Sequence, residues 1–276
     1  MNKRILFPGL AALILSLATL ACGITMDLTS EPPTPTLPPT LEQITELPAP
    51  NQGQVTEVPS PHAVISLVFN TFEESGVNPP YTIIARIPYL QGSDEARVLL
   101  FNQLVDDLIH HDIDNFRSSI LMDAPNPPFG MGSTYDLQYA LLSPAGDIFS
   151  LKFNINMYFD GAAHPNSYSL TFNYDLAAGQ QLNLHQLFLP GSDYLGPIAT
   201  YCKTQLASRD IAYFEGGAEP VLENYRNWNI TSDGLLISFD PYQVAAYAAG
   251  PQTVLIPYAE LIAIIDPAGP LAGISD

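Results

Sequence analysis

The chain has 276 residues, enough to bury a substantial core in one or two domains. Nine basic residues against 28 acidic ones give a net charge of −19, which excludes the basic footprint that nucleic-acid binding requires. Hydrophobic residues make up 47% and charged residues 13%, so the surface must lean on Asn, Gln, Ser, Thr and Tyr.

Residues 1–21 read as a secretory leader: Lys3 and Arg4, then a mostly apolar run from Ile5 to Leu20. Ala21-Cys22-Gly23 resembles a lipoprotein cleavage site, although Thr19 stands where such sites prefer Leu. Lipidation of Cys22 is therefore the expectation, with an ordinary leader or an uncleaved anchor as alternatives. Several acyl chains on Cys22, at about 0.8 kcal/mol per buried CH₂, would make a lasting anchor. Removing Lys3 and Arg4 leaves seven bases against 28 acids, a balance of −21. An anionic membrane would repel such a surface and a cationic partner would be drawn to it, while the same charge also serves plain solubility.

Residues 22–61 form the expected stalk. Nine prolines between 24 and 61, among Thr, Glu and Gln, leave no core and few backbone donors. In polyproline geometry such a segment reaches up to about 100 Å at ~3.1 Å per residue. The second cysteine, Cys202, lies in a helical pattern with no histidine near it in sequence and reads as a buried structural thiol.

The folded region is expected over 62–266, with a frayed tail at 267–276. Strands are predicted over 63–72 and 81–90. Ser93, Asp94 and Glu95 then open a helix whose apolar positions Val98, Phe101, Val105, Leu108, Ile109, Ile113, Phe116 and Ile120 recur every three or four residues. Pro125, Pro127 and Pro128 end it. Strands over 134–142 and 148–159 flank a Ser143–Asp147 turn. Tyr158–Phe188 organises the rest: a strand, the turn Asp160-Gly161-Ala162-Ala163-His164-Pro165-Asn166, and a returning strand with Tyr168, Leu170, Phe172 and Tyr174 on one face. A helix follows over 192–214 and a short one over 220–225. Strands over 228–231 and 235–239, a loop from Asp240 to Gly250, a last strand and a helix over 258–265 complete the chain. The predicted class is α+β, a single compact domain with an antiparallel β-sheet packed against two main helices.

His111 and Asp107 stand four apart on the long helix and could share a divalent metal, but no further ligand cluster accompanies them; a solvated polar face is the plainer reading. Asp160, His164 and Asp175 could form an acid–base group, or Asp160 and Asn166 could simply close the turn while His164 packs on Pro165. No nucleophile elbow, zinc-protease pair, phosphate loop or CxxC is present, and neither a cofactor nor a metal is called for. For binding, Tyr242 and Tyr247 in the Asp240–Gly250 loop are the exposed aromatic candidates, joined by Asp160, His164 and Asn166 of the hairpin turn.

Two blocks carry a family resemblance. Ile84–Arg97, with Asn102 on the helix after it, resembles the first half of the PdaC/RsiV-like module, over about 62–145. The turn at 160–166, Asn173–Phe188, Trp228–Gly250 and Val254–Leu261 resemble its second half, over about 146–266. The resemblance implies an extracytoplasmic module. In RsiV-type anti-sigma factors this module binds lysozyme; it also precedes a peptidoglycan deacetylase domain and stands alone in lipoproteins. Neither a sigma-binding helix nor a deacetylase domain is expected in this sequence. The expectation is a membrane-tethered, non-enzymatic binding module for a cell-wall component or a basic protein such as lysozyme. The alternatives are a cell-wall hydrolase or deacetylase using His164 and Asp160, and a structural envelope lipoprotein without a ligand.

Overall fold

A computed structural model describes residues 64–123, 130–142 and 146–273. The leader, Cys22, the stalk, the proline cluster at 125–128 and the turn apex at 143–145 lie outside the described residues.

Strands β1 (Ser66–Val77) and β2 (Pro80–Gln91) form an antiparallel pair with Phe72 opposite Ala85. Helix α1 (Ala96–Asp123) follows. Ser93 Oγ accepts from the Glu95 amide at 3.2 Å just ahead of the helix, where its capping role is expected. Val98, Phe101, Val105, Ile109, Ile113, Phe116 and Ile120 are all buried, as their spacing predicts. A 28-residue helix is about 42 Å long, close to the reach of a 12-residue strand at about 3.4 Å per residue. It therefore carries the chain back along β2, and β3 (Ser133–Leu141) pairs parallel to β2, with Ile83 opposite Tyr135. A helical crossover is what a parallel pair needs. The main sheet is thus mixed, not purely antiparallel as the strand signals suggest.

From β3 onward the sheet is an antiparallel meander through β4 (Ile148–Tyr158), β5 (Asn166–Asp175) and the short β6 (Gln180–Gln181), giving six strands in sequence order. The α1 face buries Ile83, Leu137, Phe153, Phe172 and Tyr174, with Tyr168 and Leu170 partly buried beside them. Asn102 joins the two layers: its Oδ1 accepts from the Leu90 amide at 2.7 Å and its Nδ2 donates to the Leu90 carbonyl at 2.9 Å. The helix side chain satisfies both backbone groups of Leu90 at once.

A second sheet, β7 (Trp228–Ile230), β8 (Leu235–Phe239) and β9 (Gln252–Ile256), packs with α2 (Leu195–Ala207) around a separate core. Cys202 sits there at 0% exposure, and burial pushes its thiol up to about 12, as a structural thiol should behave. Helix α2 stops well short of 214. Ser208 Oγ donates to the Gln205 carbonyl at 2.7 Å, and Arg209 turns away to Gln252 Oε1 and the Thr253 carbonyl at 2.7 and 2.6 Å. Ile211 and Tyr213, which continue the helical pattern in sequence, instead reach this core from an extended segment. The final helix, α3, spans only Tyr258–Leu261. The segment beyond Pro267 is not a frayed tail throughout: Leu271 is 1% exposed and belongs to the second core.

The two cores meet across a polar seam on the sheet face opposite α1. Ser150 Oγ donates to Asn173 Oδ1 at 2.7 Å and accepts from Asn229 Nδ2 and the Ile230 amide, both at 3.0 Å. Asn173 Nδ2 donates to the Trp228 carbonyl at 2.9 Å. Further along the same face Lys152 Nζ donates to Ser238 Oγ at 2.8 Å. Burial holds the Lys152 ammonium below its ordinary pKa, an effect that nearby Asp240 opposes.

Candidate functional site

Beyond Lys152 the second sheet no longer covers this face, and the segment between β8 and β9 takes over as a flap. Its root is tied down. Asp240 is 9% exposed; its Oδ1 accepts from the Ser169 amide at 2.8 Å and its Oδ2 from Arg226 Nη2 and Asn227 Nδ2, each at 3.2 Å. The Ser169 bond gives part of the outer edge of β5 an acceptor in place of a neighbouring strand. Gln243 Nε2 donates to the Gly217 and Asn224 carbonyls at 3.1 and 2.9 Å. Gly217 lies so close that a Cβ there would fall 1.8 Å from the Gln243 carbonyl oxygen, so only glycine fits under the flap.

Between these ties the flap raises two tyrosines over the central hairpin turn. The Tyr247 ring stacks on His164 with centroids 4.3 Å apart and planes at 28°, and its hydroxyl donates to the Pro165 carbonyl at 2.8 Å. Tyr242 lies 5.5 Å from Tyr247 at 31°, extending the row to three rings. Tyr242 is 57% exposed and has φ +70°, the positive value found at no other non-glycine among the described residues. That backbone region costs a residue bearing a Cβ on the order of 1–3 kcal/mol, and it persists where the surroundings impose it. The flap thus holds an exposed aromatic ring in a strained backbone over a well-anchored root.

Of the five residues singled out for binding, the structure brings His164, Tyr242 and Tyr247 together. Asn166 begins β5 beside them, opposite Met157 in register. Asp160 serves the base of the turn: its amide donates to Ser133 Oγ at 3.0 Å, and its Oδ2 accepts from the Gly130 amide at 3.3 Å. His164 Nδ1 contacts the Pro165 carbonyl at 2.8 Å. Asp160 is thus bonded to residues outside the turn, and the His164 ring lies against Tyr247. Asp175 is placed elsewhere, its Oδ1 accepting from the Ala178 amide at 2.9 Å. On α1 it is His110, not His111, that pairs with a carboxylate: its Nδ1 lies 3.2 Å from Asp106 Oδ1 and its ring meets Phe72 edge-on.

Sequence reasoning missed the floor beneath the flap. A cleft of about 110 Å³ runs between Pro241 and Pro251 of the flap and the β4–β5 surface. Asn154 faces Ser169 across the strands and Asn156 faces Ser167. The strict alternation of β4 already places Asn154 and Asn156 on the face opposite Phe153 and Ile155, and that was the available signal.

The fold and this site define an α+β module: a mixed six-stranded sheet packed on one long helix, with a second sheet that throws an aromatic flap over its polar face. Residues 185–259, which hold the flap, match the family described as "Protein of unknown function (DUF3298)". Solved structures of DUF3298 proteins from Bacteroides fragilis and Pseudomonas aeruginosa share the fold, each with TM-score 0.54 and 14% identity, covering 78% and 75% of this chain and 98% and 96% of theirs. In sequence the chain is similar to the peptidoglycan-N-acetylmuramic acid deacetylase PdaC of Bacillus subtilis, 29% identical over 44% of this chain and 27% of that protein. It is also similar to the immunogenic protein MPT64 of Mycobacterium tuberculosis, 26% identical over 52% of this chain and 64% of that one. An esterase of the same organism is 33% identical over 29% of this chain and 36% of its own length. The chain thus matches about a quarter of PdaC and just under two thirds of MPT64.

Proposed function

We propose that this chain is an extracytoplasmic binding module, tethered through a lipidated Cys22 and its proline-rich stalk, whose flap and hairpin turn engage a component of the bacterial cell envelope. The observation that carries this reading is the strained, exposed Tyr242 at the end of the Tyr247–His164 stack. Likeness to an enzyme whose name places its substrate in peptidoglycan supports an envelope ligand. The ties of Asp160 to Gly130 and Ser133 and the stacking of His164 on Tyr247 favour recognition over acid–base catalysis at this place.

The test is sedimentation of the purified chain with isolated bacterial sacculi at low and high salt. Saturable co-sedimentation that survives salt, and is lost when Tyr242 and Tyr247 are both changed to alanine, supports the reading. No co-sedimentation, or equal binding by the double variant, overturns it. Turnover of envelope substrates abolished by His164→Gln in a folded protein would establish the enzymatic alternative instead.

The excess of 28 acids over nine bases favours a second reading, a basic protein such as lysozyme as the partner. A 1:1 complex that persists at high salt is its signature. An association lost with salt is attraction to an acidic surface and nothing more.

A further inference from the structure

The chemistry of the cleft beneath the flap narrows the ligand class. Its lining contains Asn154, Asn156, Ser167 and Ser169 from the sheet and Pro241 and Pro251 from the flap, and no charged residue. The carboxylate beside the cleft, that of Asp240 next to Pro241, is already taken up by the Ser169 amide, Arg226 and Asn227. The two asparagines stand opposite the two serines in consecutive same-face pairs, so amide and hydroxyl groups alternate across the strands at about 4.5–5.5 Å between Cβ atoms. Each asparagine amide can donate through nitrogen while it accepts through oxygen, the pattern that matches adjacent hydroxyls on one ring. Both asparagines are exposed at the end of β4, beyond the part that the second sheet covers.

Apolar ring faces complete the pattern. Tyr242 follows Pro241 directly in the chain and presents its ring at 57% exposure. A saccharide has C–H faces that pack on aromatic rings and hydroxyl edges that need amides and hydroxyls; the cleft lining supplies the polar groups, and Tyr242, next in the chain to the lining residue Pro241, supplies a ring. At about 110 Å³ the cleft is well below the ~300–1,000 Å³ of pockets that enclose a small molecule. It would grip one edge of a sugar and leave the rest of the chain to lie across the flap.

We infer that the cleft between the flap and the β4–β5 surface binds an uncharged segment of a polysaccharide, with Asn154 and Asn156 holding hydroxyl or acetamido groups and Tyr242 stacking on an adjoining ring. This rests on the flap being the recognition surface, and it names the ligand class for that same surface.

The experiment is calorimetric titration of the full chain with four tetrasaccharides: N-acetylated chitotetraose, its fully de-N-acetylated cationic counterpart, cellotetraose, and anionic tetragalacturonate. The expected result is that a neutral tetrasaccharide binds in the micromolar to millimolar range. Binding should be unchanged between low and high salt and weaken at least fivefold in Tyr242→Ala and in Asn156→Ala. Chitotetraose binding without cellotetraose assigns the cleft to acetamido groups, and equal binding assigns it to ring hydroxyls; either supports the inference. Tyr242→Phe serves as the fold control, since it keeps the ring and should retain binding. Neutral sugars that bind equally well to both alanine variants, or binding confined to a charged tetrasaccharide, overturn the inference. If no tetrasaccharide binds while salt-resistant sacculus binding persists, the saccharide assignment fails and the flap's envelope role stands. If sacculus binding is absent as well, both fail.

Discussion

Tyr242 and Ser150 show how single residues here serve opposite ends. Tyr242 occupies a left-handed backbone position with its ring largely in solvent. Glycine meets no steric penalty there, so Tyr242→Gly should raise stability by up to about 1 kcal/mol while it removes the exposed ring. Urea denaturation read beside a sacculus-binding assay checks this, and a loss of stability would mean that the ring serves packing. Ser150 is fully buried and bonded to Asn173 of the neighbouring strand β5 and to Asn229 and the Ile230 amide of the second sheet. Ser150→Ala deprives Asn173 Oδ1 and the Ile230 amide of this partner, while Asn229 Nδ2 keeps its bond to the Leu151 carbonyl; at about 1–3 kcal/mol for each group left unpaired, a loss of about 2–6 kcal/mol is expected in the same denaturation experiment. The sequence picks out Tyr242 as an exposed aromatic, but neither its backbone strain nor the burial of Ser150 is legible there. A serine in an alternating strand looks the same whether it faces water or a second sheet, and a tyrosine carries no sign of the φ its neighbours impose.

At the scale of elements, α1 was the most legible. Its apolar spacing over 28 residues names the buried face directly, and Phe101→Ala should cost about 3–5 kcal/mol because that ring contacts Phe149, Phe172 and Tyr174 at centroid distances of 5.4–5.5 Å. The same regularity concealed the parallel β2–β3 pair, because pairing direction depends on where a helix of that length delivers the chain, which no local pattern records. Helix α2 is shorter than its sequence pattern suggests for a related reason: Ile211 and Tyr213 suit a helix face and a bridging extended segment equally well. The flap shows a third kind of gap. Its tyrosines can be picked out by composition, but their meeting with His164 joins positions 83 residues apart in the chain. Gly217→Ala should loosen that arrangement by pushing on the Gln243 carbonyl. Faster amide hydrogen exchange across 240–250, with α1 unchanged, is the expected result.

For the molecule as a whole, buried phenols set the alkaline limit. Tyr135 and Tyr168 both donate to Asp112 Oδ2, at 2.6 and 2.7 Å; burial first, and then that carboxylate, raise their pKa values. Burial also raises Tyr258 from 10.0 to about 12. A group whose pKa is raised by folding lends stability below its unfolded value and loses it as pH climbs towards the folded one. Stability should therefore change little from these groups up to about pH 10 and fall steeply from there to about pH 12, as a pH series of urea midpoints would show. Removing Tyr135 and Tyr168 hydroxyls together, as phenylalanines, should make that fall shallower. Because α1 and β5 both contribute to this cluster, the loss is felt across the first core rather than at one edge.

In the function proposed here, the flap over the hairpin turn is the part of this module that meets the cell envelope. The most direct measurement of that role is the salt-resistant binding of the purified chain to sacculi, compared with the Tyr242→Ala/Tyr247→Ala variant at matched thermal stability. Saturable binding by the parent chain and at least a tenfold loss in the variant are expected. Undiminished binding by a folded variant would contradict that role and move the recognition surface elsewhere on the molecule.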